Sequence, residues 1–245
     1  MWFRILCLIL LLTPHTTWAA DIPTLSLSLG DSEDPNDWFT GLKILGFLTI
    51  LTIAPSILVM MTSFTRIVVV FAFLRQALGT QQSPPTQVLI GLALFMTMFI
   101  MMPVWDKIDA EAITPYLAED INQSEAFDRA IAPIRSFMLR QTREDDLLLF
   151  LDAAKLEKPK TADETPMYVL IPSFVISELR TAFEIGFLIY IPFVVLDLVV
   201  ASVLMSMGMM MLPPVMISLP LKIVLFVLVD GWHLITGALL QSFKM

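Results

Sequence analysis

The chain is 245 residues long, 57% hydrophobic and only 16% charged, with 15 basic and 23 acidic side chains and a net charge of −8. Soluble domains are about 45–50% apolar and about 25% charged, so this composition excludes an ordinary water-soluble globule and indicates a membrane protein. The acidic balance and the lack of a Lys/Arg cluster exclude a phosphate-tracking nucleic-acid binder. Cys7 is the only thiol, and His15 and His233 are the only imidazoles. No disulfide frame or Cys/His zinc site can form within one chain, and neither a cofactor nor catalysis is expected.

Arg4 precedes an apolar run over residues 5–13, and Thr17 and Ala19 place small residues at −3 and −1 of a cleavage site after Ala19. Residues 1–20 therefore read as a cleavable secretory signal peptide. The alternative is an uncleaved anchor, for which the run is too short to span.

Residues 21–105 hold a first apolar helical hairpin. Positions 44–65 are 22 residues without a charge, with Pro55 inside, followed by Arg66, an apolar run over 67–74 and Arg75. The polar stretch 76–87, with Gly79, Pro84 and Pro85, reads as a loop. A second uncharged run then continues to Trp105. Arg66 and Arg75 are the basic residues near that tip, which puts it in the cytoplasm under the positive-inside rule.

Residues 106–165 carry 14 acidic and 8 basic side chains, 22 of the 38 charges in the chain. They form a polar insert, expected on the extracytoplasmic (periplasmic) side. Phe127, Ile131, Ile134 and Met138 recur at helical spacing. Thr142 with Asp145 resembles an N-cap for a helix over 147–156. Phe137 and Phe150 either pack between the insert helices or form a subunit contact surface.

Residues 166–245 form a second apolar hairpin with sparse, deep charges: Glu178, Arg180, Glu184, Asp197, Lys222 and Asp230. Intramembrane ionisable groups normally face a partner or a wet cavity. Arg180 and Glu184 are spaced to pair on one helix face. Glu178 and Lys222 lie in different elements and could link two helices or two subunits. Positions 198–221 are uncharged for 24 residues but interrupted by Gly208, Pro213, Pro214 and Pro220. The chain must break near Pro213 and Pro214. The break is flanked by Met205, Met207, Met209, Met210, Met211 and Met216. A tip in water should be polar, so this one reads as re-entrant or buried in an oligomer. Flexible thioethers at a break could close a pore against water and yield around a varied passenger.

The strings SFTRIVVVFAFLRQALGT (63–80), PPTQVLIGLALFMTMFIMMP (84–103), FMLRQTRE (137–144), ISELRTAFEIGF (176–187), DLVVASVLMSMGMMMLPP (197–214) and LFVLVDGW (225–232) resemble the flagellar biosynthetic protein FliP family. This family supplies the P subunit of the bacterial type III export gate. The resemblance covers about residues 38–243. The injectisome R-subunit branch is the close relative, and the signal peptide and insert favour the flagellar branch.

The resemblance implies an all-α membrane protein of kinked and broken helices that assembles into a homo-oligomeric, pentameric ring. It implies a closed channel with the Q and R subunits (FliQ, FliR) at the flagellar basal body in the inner membrane. Unfolded flagellar axial proteins pass through that channel, alongside the remaining export apparatus. The resemblance further implies a pore gasket at Met209, Met210 and Met211, and an inter-subunit ion pair between Glu178 and Lys222. A transporter or proton pathway is the alternative suggested by Glu178, Glu184, Asp197, Asp230 and His233, but it calls for an internal repeat that the two unlike hairpins lack. A membrane enzyme is disfavoured because there is neither a phosphate-loop nor a zinc-protease motif.

Overall fold

Proline and glycine set several of the helix ends. The computed structural model describes residues 35–80, 82–159, 161–209 and 212–243; the signal peptide expected over 1–20, and Met210 and Met211, lie outside them. The described residues form helices with no strand. The chain divides into two units, residues 1–49 and 50–245, and the boundary falls within the first helix. In the first unit the described residues are the opening part of α1 (Pro35–Met60). The second unit carries the rest of α1, the remaining helices and the core.

The uncharged run 44–65 is not one helix. α1 stops at Met60 and α2 (Phe64–Leu78) starts after a three-residue turn. Thr62 holds that turn: its hydroxyl donates to the Val59 carbonyl (2.7 Å) and accepts from the Phe64 amide (3.3 Å). α2 ends at Gly79, whose φ of +75° is the left-handed conformation that glycine adopts without penalty. The loop is shorter than the polar stretch 76–87, because α3 (Thr86–Ile108) begins directly after Pro85. α3 runs through Trp105 into a widened π-type turn over Asp109–Ile113 and then α4 (Thr114–Leu117). The charge boundary at 105/106 is therefore not a helix end. The widened turn comes just before Pro115, whose ring would clash with the carbonyl four residues back in a regular helix.

In the insert, Asn122 caps α5 (Gln123–Gln141) by accepting from the Glu125 amide at 2.9 Å. α6 (Glu144–Ala153) lies three residues earlier at each end than the 147–156 segment expected from the sequence. Thr142 is not its N-cap. The Thr142 hydroxyl turns back to the Met138 carbonyl (2.8 Å) and finishes α5, while Arg143 takes the cap position. The buried stripe of α5 runs through Pro133, Phe137, Met138 and Gln141, and Phe127 is exposed.

α7 (Met167–Ser206) is 40 residues long despite Pro172 and Pro192, about 60 Å at 1.5 Å per residue, twice a hydrocarbon core of about 30 Å. α8 (Pro214–Leu228) and α9 (Gly231–Gln241) follow, bent by 64°. Asp230 sits at the bend with φ +51°. The bend brings Gly231 against the Phe226 ring so closely that a Cβ would lie 2.2 Å from it.

The core centres on α2, whose Arg66, Ile67, Val70, Phe71 and Leu74 are essentially sealed from solvent. Arg66 meets Glu178, and seven residues on Phe73 meets Phe183 and Gly186, so α2 and α7 run in the same direction. α8 returns antiparallel to α7, with Phe193 facing Phe226 and Asp197 facing Lys222. α9 runs antiparallel to α2, since Phe71 lies by Trp232 and Arg66 by Ser242. Among the described residues, two helical stretches are long and apolar enough to cross a membrane, Thr86–Leu117 and Met167–Ser206. The bent pair α8–α9 makes a third if it counts as one span.

Candidate functional site

The hairpin of α7 and α8 reaches past the core. Gly186 is level with Phe73, five residues before α2 ends at Leu78. The last 15 residues of α7 (206 − 191) therefore continue about 22 Å beyond α2. Their outward faces are apolar and uncovered: Val195, Leu198, Val199, Val203 and Met205 are all more than half exposed. α7 closes with paired bonds around left-handed Gly208, from the Met209 amide to the Leu204 carbonyl and from the Gly208 amide to the Met205 carbonyl, both 3.0 Å. Pro214 then opens α8 at a position where its missing N–H costs nothing. Within the tip Met207 is exposed and Met209 half-buried.

Two ion pairs tie the hairpin to the rest of the chain and to itself. Arg66 grips Glu178 with two prongs, Nε to Oε2 at 2.8 Å and Nη2 to Oε1. The remaining guanidinium donors reach the Ser242 carbonyl (2.9 Å), its hydroxyl (3.0 Å) and Gln141 Oε1 (3.3 Å). The Phe243 ring lies 3.8 Å from the guanidinium carbon. Three other stretches of chain thus converge on one buried cation. Further along α7, Lys222 Nζ donates to Asp197 Oδ2 at 2.6 Å, with the lysine buried and the aspartate partly exposed. Asp197 Oδ1 has no hydrogen-bond partner among the described residues.

Glu178 and Lys222 do not meet within the chain. Nineteen residues of α7 separate Glu178 from the Lys222 partner Asp197, about 28 Å along the helix. Arg66 went unrecognised in the sequence, where it passed for a charge flanking the loop. Its position between two uncharged runs was the one available signal.

Phe137 is 3% exposed, and its neighbours are Phe174 (ring centroids 6.0 Å) and Phe243 (6.5 Å, stacked). Its ring faces the chain's own core instead of a neighbouring subunit. Phe150 is half-buried and remains reachable. α6 is moored to α7 by Ser177, which donates to Asp146 Oδ2 (2.6 Å) and accepts from the Arg143 amide (3.0 Å). Arg180 and Glu184 pair one turn apart at 3.3 Å, and Glu184 also takes Arg143 at 2.8 Å. On the surface the Lys158 hydrogen bond and charge hold the Glu144 carboxyl below the usual carboxylate range. No group of three or more His, Cys, Asp or Glu side chains is placed to hold a metal among the described residues. The site is a projecting apolar hairpin with buried charged anchors, an arrangement suited to packing.

Comparison with known proteins agrees with this picture. The family model described as "FliP family" matches residues 47–239. The flagellar biosynthetic protein FliP of Bacillus subtilis (strain 168) is 55% identical over 217 residues, 89% of this chain and 98% of that protein. That of Caulobacter vibrioides is 55% identical over 202 residues, covering 82% and 76% of the two chains. That of Aquifex aeolicus is 51% identical over 227 residues, covering 92% and 93%. Matched over nearly the whole described length, this chain belongs to the FliP family of flagellar biosynthetic proteins.

Proposed function

We propose that the chain is a channel-forming core subunit of the flagellar type III protein export gate, conducting unfolded flagellar axial proteins across the inner membrane. Family membership makes it a flagellar biosynthetic protein and not an enzyme. The observation that carries the channel reading is the α7–α8 hairpin, which extends past the core with uncovered apolar faces and a methionine-flanked break. Such faces need lipid or other subunits around them. Copies of the chain, joined by the Q and R subunits, would cover them in a pentameric ring and bring the tips together. Met209, Met210 and Met211 would then form a yielding gasket, with Phe150 at a subunit contact, while Glu178 would meet a neighbour's Lys222 only by leaving Arg66, and Lys222 only by leaving Asp197.

Site-specific crosslinking to a stalled export substrate tests this reading. Cys7 is the only cysteine, so replacing it by serine leaves a clean background for Met209→Cys. A crosslink from position 209 to the stalled polypeptide is expected, with none from Phe95→Cys on the exposed face of α3. Substrate captured from position 95 and never from 209 would overturn the channel assignment.

A further inference from the structure

We propose that the cleft between α3 and α5 binds the phosphate headgroup of an anionic phospholipid. The cleft has a volume of about 290 Å³; Ile100, Val104, Pro133 and Phe137 form its apolar floor, and Lys107 and Arg140 stand at its mouth. Ser136 lines it as well and accepts from Arg140 Nη1 at 2.9 Å, which fixes the guanidinium.

The depth is right for a headgroup. From Thr86 to Trp105 α3 carries 20 residues without a charge, about 30 Å of helix, the thickness of a hydrocarbon core. Trp105 is exposed where that stretch ends, as an interfacial anchor should be. Lys107 comes two residues later, at the level where phosphates lie. Below it, Phe95, Phe99 and Met102 recur at helical spacing and are each more than half exposed. They offer an acyl chain a surface leading away from the cleft.

The charges are free to act. Among the described residues neither Lys107 nor Arg140 has a carboxylate within 4 Å, although Arg129, Arg143 and Lys158 of the same insert all do. The insert is acidic overall, so two cations converging on one cleft without acid partners mark a site for an external anion. A basic pocket between membrane helices at the interface is the arrangement that recognises anionic headgroups. The proposal rests on α3 lying in a bilayer and not on the channel reading.

The test is native mass spectrometry of the full chain extracted in neutral detergent, titrated with phosphatidylglycerol or with phosphatidylcholine. Each surface cation contributes roughly fivefold to anionic-lipid binding, so K107Q/R140Q should retain phosphatidylglycerol about thirtyfold less well. Phosphatidylcholine retention should not change. The charge-conserving K107R/R140K and the distant K158Q should bind phosphatidylglycerol like the unaltered protein. Equal phosphatidylglycerol retention by K107Q/R140Q and the unaltered chain would overturn the proposal. So would full displacement of the lipid by inorganic phosphate at equal concentration, which marks a soluble-anion site. A shift in oligomeric mass with lipid retention unchanged would assign the cations to an acidic protein partner and overturn it equally.

Discussion

Arg66 on α2 and Glu178 on α7 form a two-pronged ion pair whose side chains are 2% and 0% exposed. Burying two charges is expensive, and their attraction offsets the desolvation only when the remaining donors are also satisfied. Here they are, by Gln141, Ser242 and the face of Phe243. Arg66→Gln should destabilise the purified protein by about 3–5 kcal/mol, because it leaves Glu178 buried without its partner. Arg66→Lys should cost less but still lower the unfolding midpoint, since one ammonium cannot replace the guanidinium fork. Phe243→Ala should cost about 3 kcal/mol, at the low end for a buried phenylalanine. Thermal unfolding in detergent checks all three, and an unchanged midpoint for Arg66→Gln would remove the pair from the core's account.

Which of these features the sequence could disclose follows from their range. The break at Gly208 and Pro213–Pro214 was legible, because glycine takes a left-handed turn without penalty and two adjacent prolines remove two donors in a row. The Arg180–Glu184 contact was legible too, being one helical turn long. Arg66 and Glu178 are 112 positions apart, and nothing local says that a charge flanking a loop will be drawn into the core. The helical period of α5 was readable but its buried face was not, since the direction of α7 decides which residues it covers. Thr142 failed as an N-cap for a related reason. A hydroxyl between two helices can serve either, and the bond to Met138 served the first.

Gly231 provides a test of the α8–α9 bend. A Cβ there would sit 2.2 Å from the Phe226 ring, so Gly231→Ala must displace that ring or open the bend. A cost of about 1–3 kcal/mol is expected, as for other overpacked sites. Phe226→Leu in the same chain should return part of it by shortening the obstructing side chain. If Gly231→Ala alone leaves stability unchanged, the bend is not fixed by this contact.

The Asp197–Lys222 pair separates anchoring from any other role of those charges. Lys222→Met should destabilise the hairpin modestly by removing the partner of the partly exposed Asp197, and Asp197→Leu should do so more strongly by leaving a buried ammonium. Asp197→Leu with Lys222→Met should recover most of the loss, because an apolar pair of similar volume incurs no desolvation cost. Secretion measured on the recovered double variant then decides the matter. Restored export means the pair is structural, whereas stable protein without export means that a charge in the hairpin serves the transport step.

Two charge exchanges distinguish the intrachain partner of Glu178 from one on a neighbouring copy. Glu178→Lys should disrupt the fold and any ring together, since it sets two cations face to face at Arg66. Adding Arg66→Glu should recover part of the monomer's stability, but not all, because the Ser242 carbonyl would then face a carboxylate. Adding Lys222→Glu instead should recover ring assembly only if residues 178 and 222 pair between subunits. Native mass spectrometry reads the ring and thermal unfolding reads the monomer. Stability recovered by Arg66→Glu with no ring recovered by Lys222→Glu would confine Glu178 to its intrachain role.

The methionine tip gives the most direct prediction of the channel proposal. Methionine combines bulk with three rotatable bonds, so side chains meeting from several copies can fill an opening and still move aside. Replacing Met209, Met210 and Met211 by alanine removes the bulk but keeps the residues apolar. Assembly, which depends on the buried anchors some distance down the hairpin, should be nearly unaffected. Small-ion leakage through the assembled complex in planar bilayers should rise, and export of axial proteins should continue. Replacement by leucine, which keeps the volume but stiffens the side chain, should preserve the seal and slow export instead. A normally assembled alanine variant that conducts no more than the original would exclude the tip from sealing the pore, whatever its part in packing the subunits.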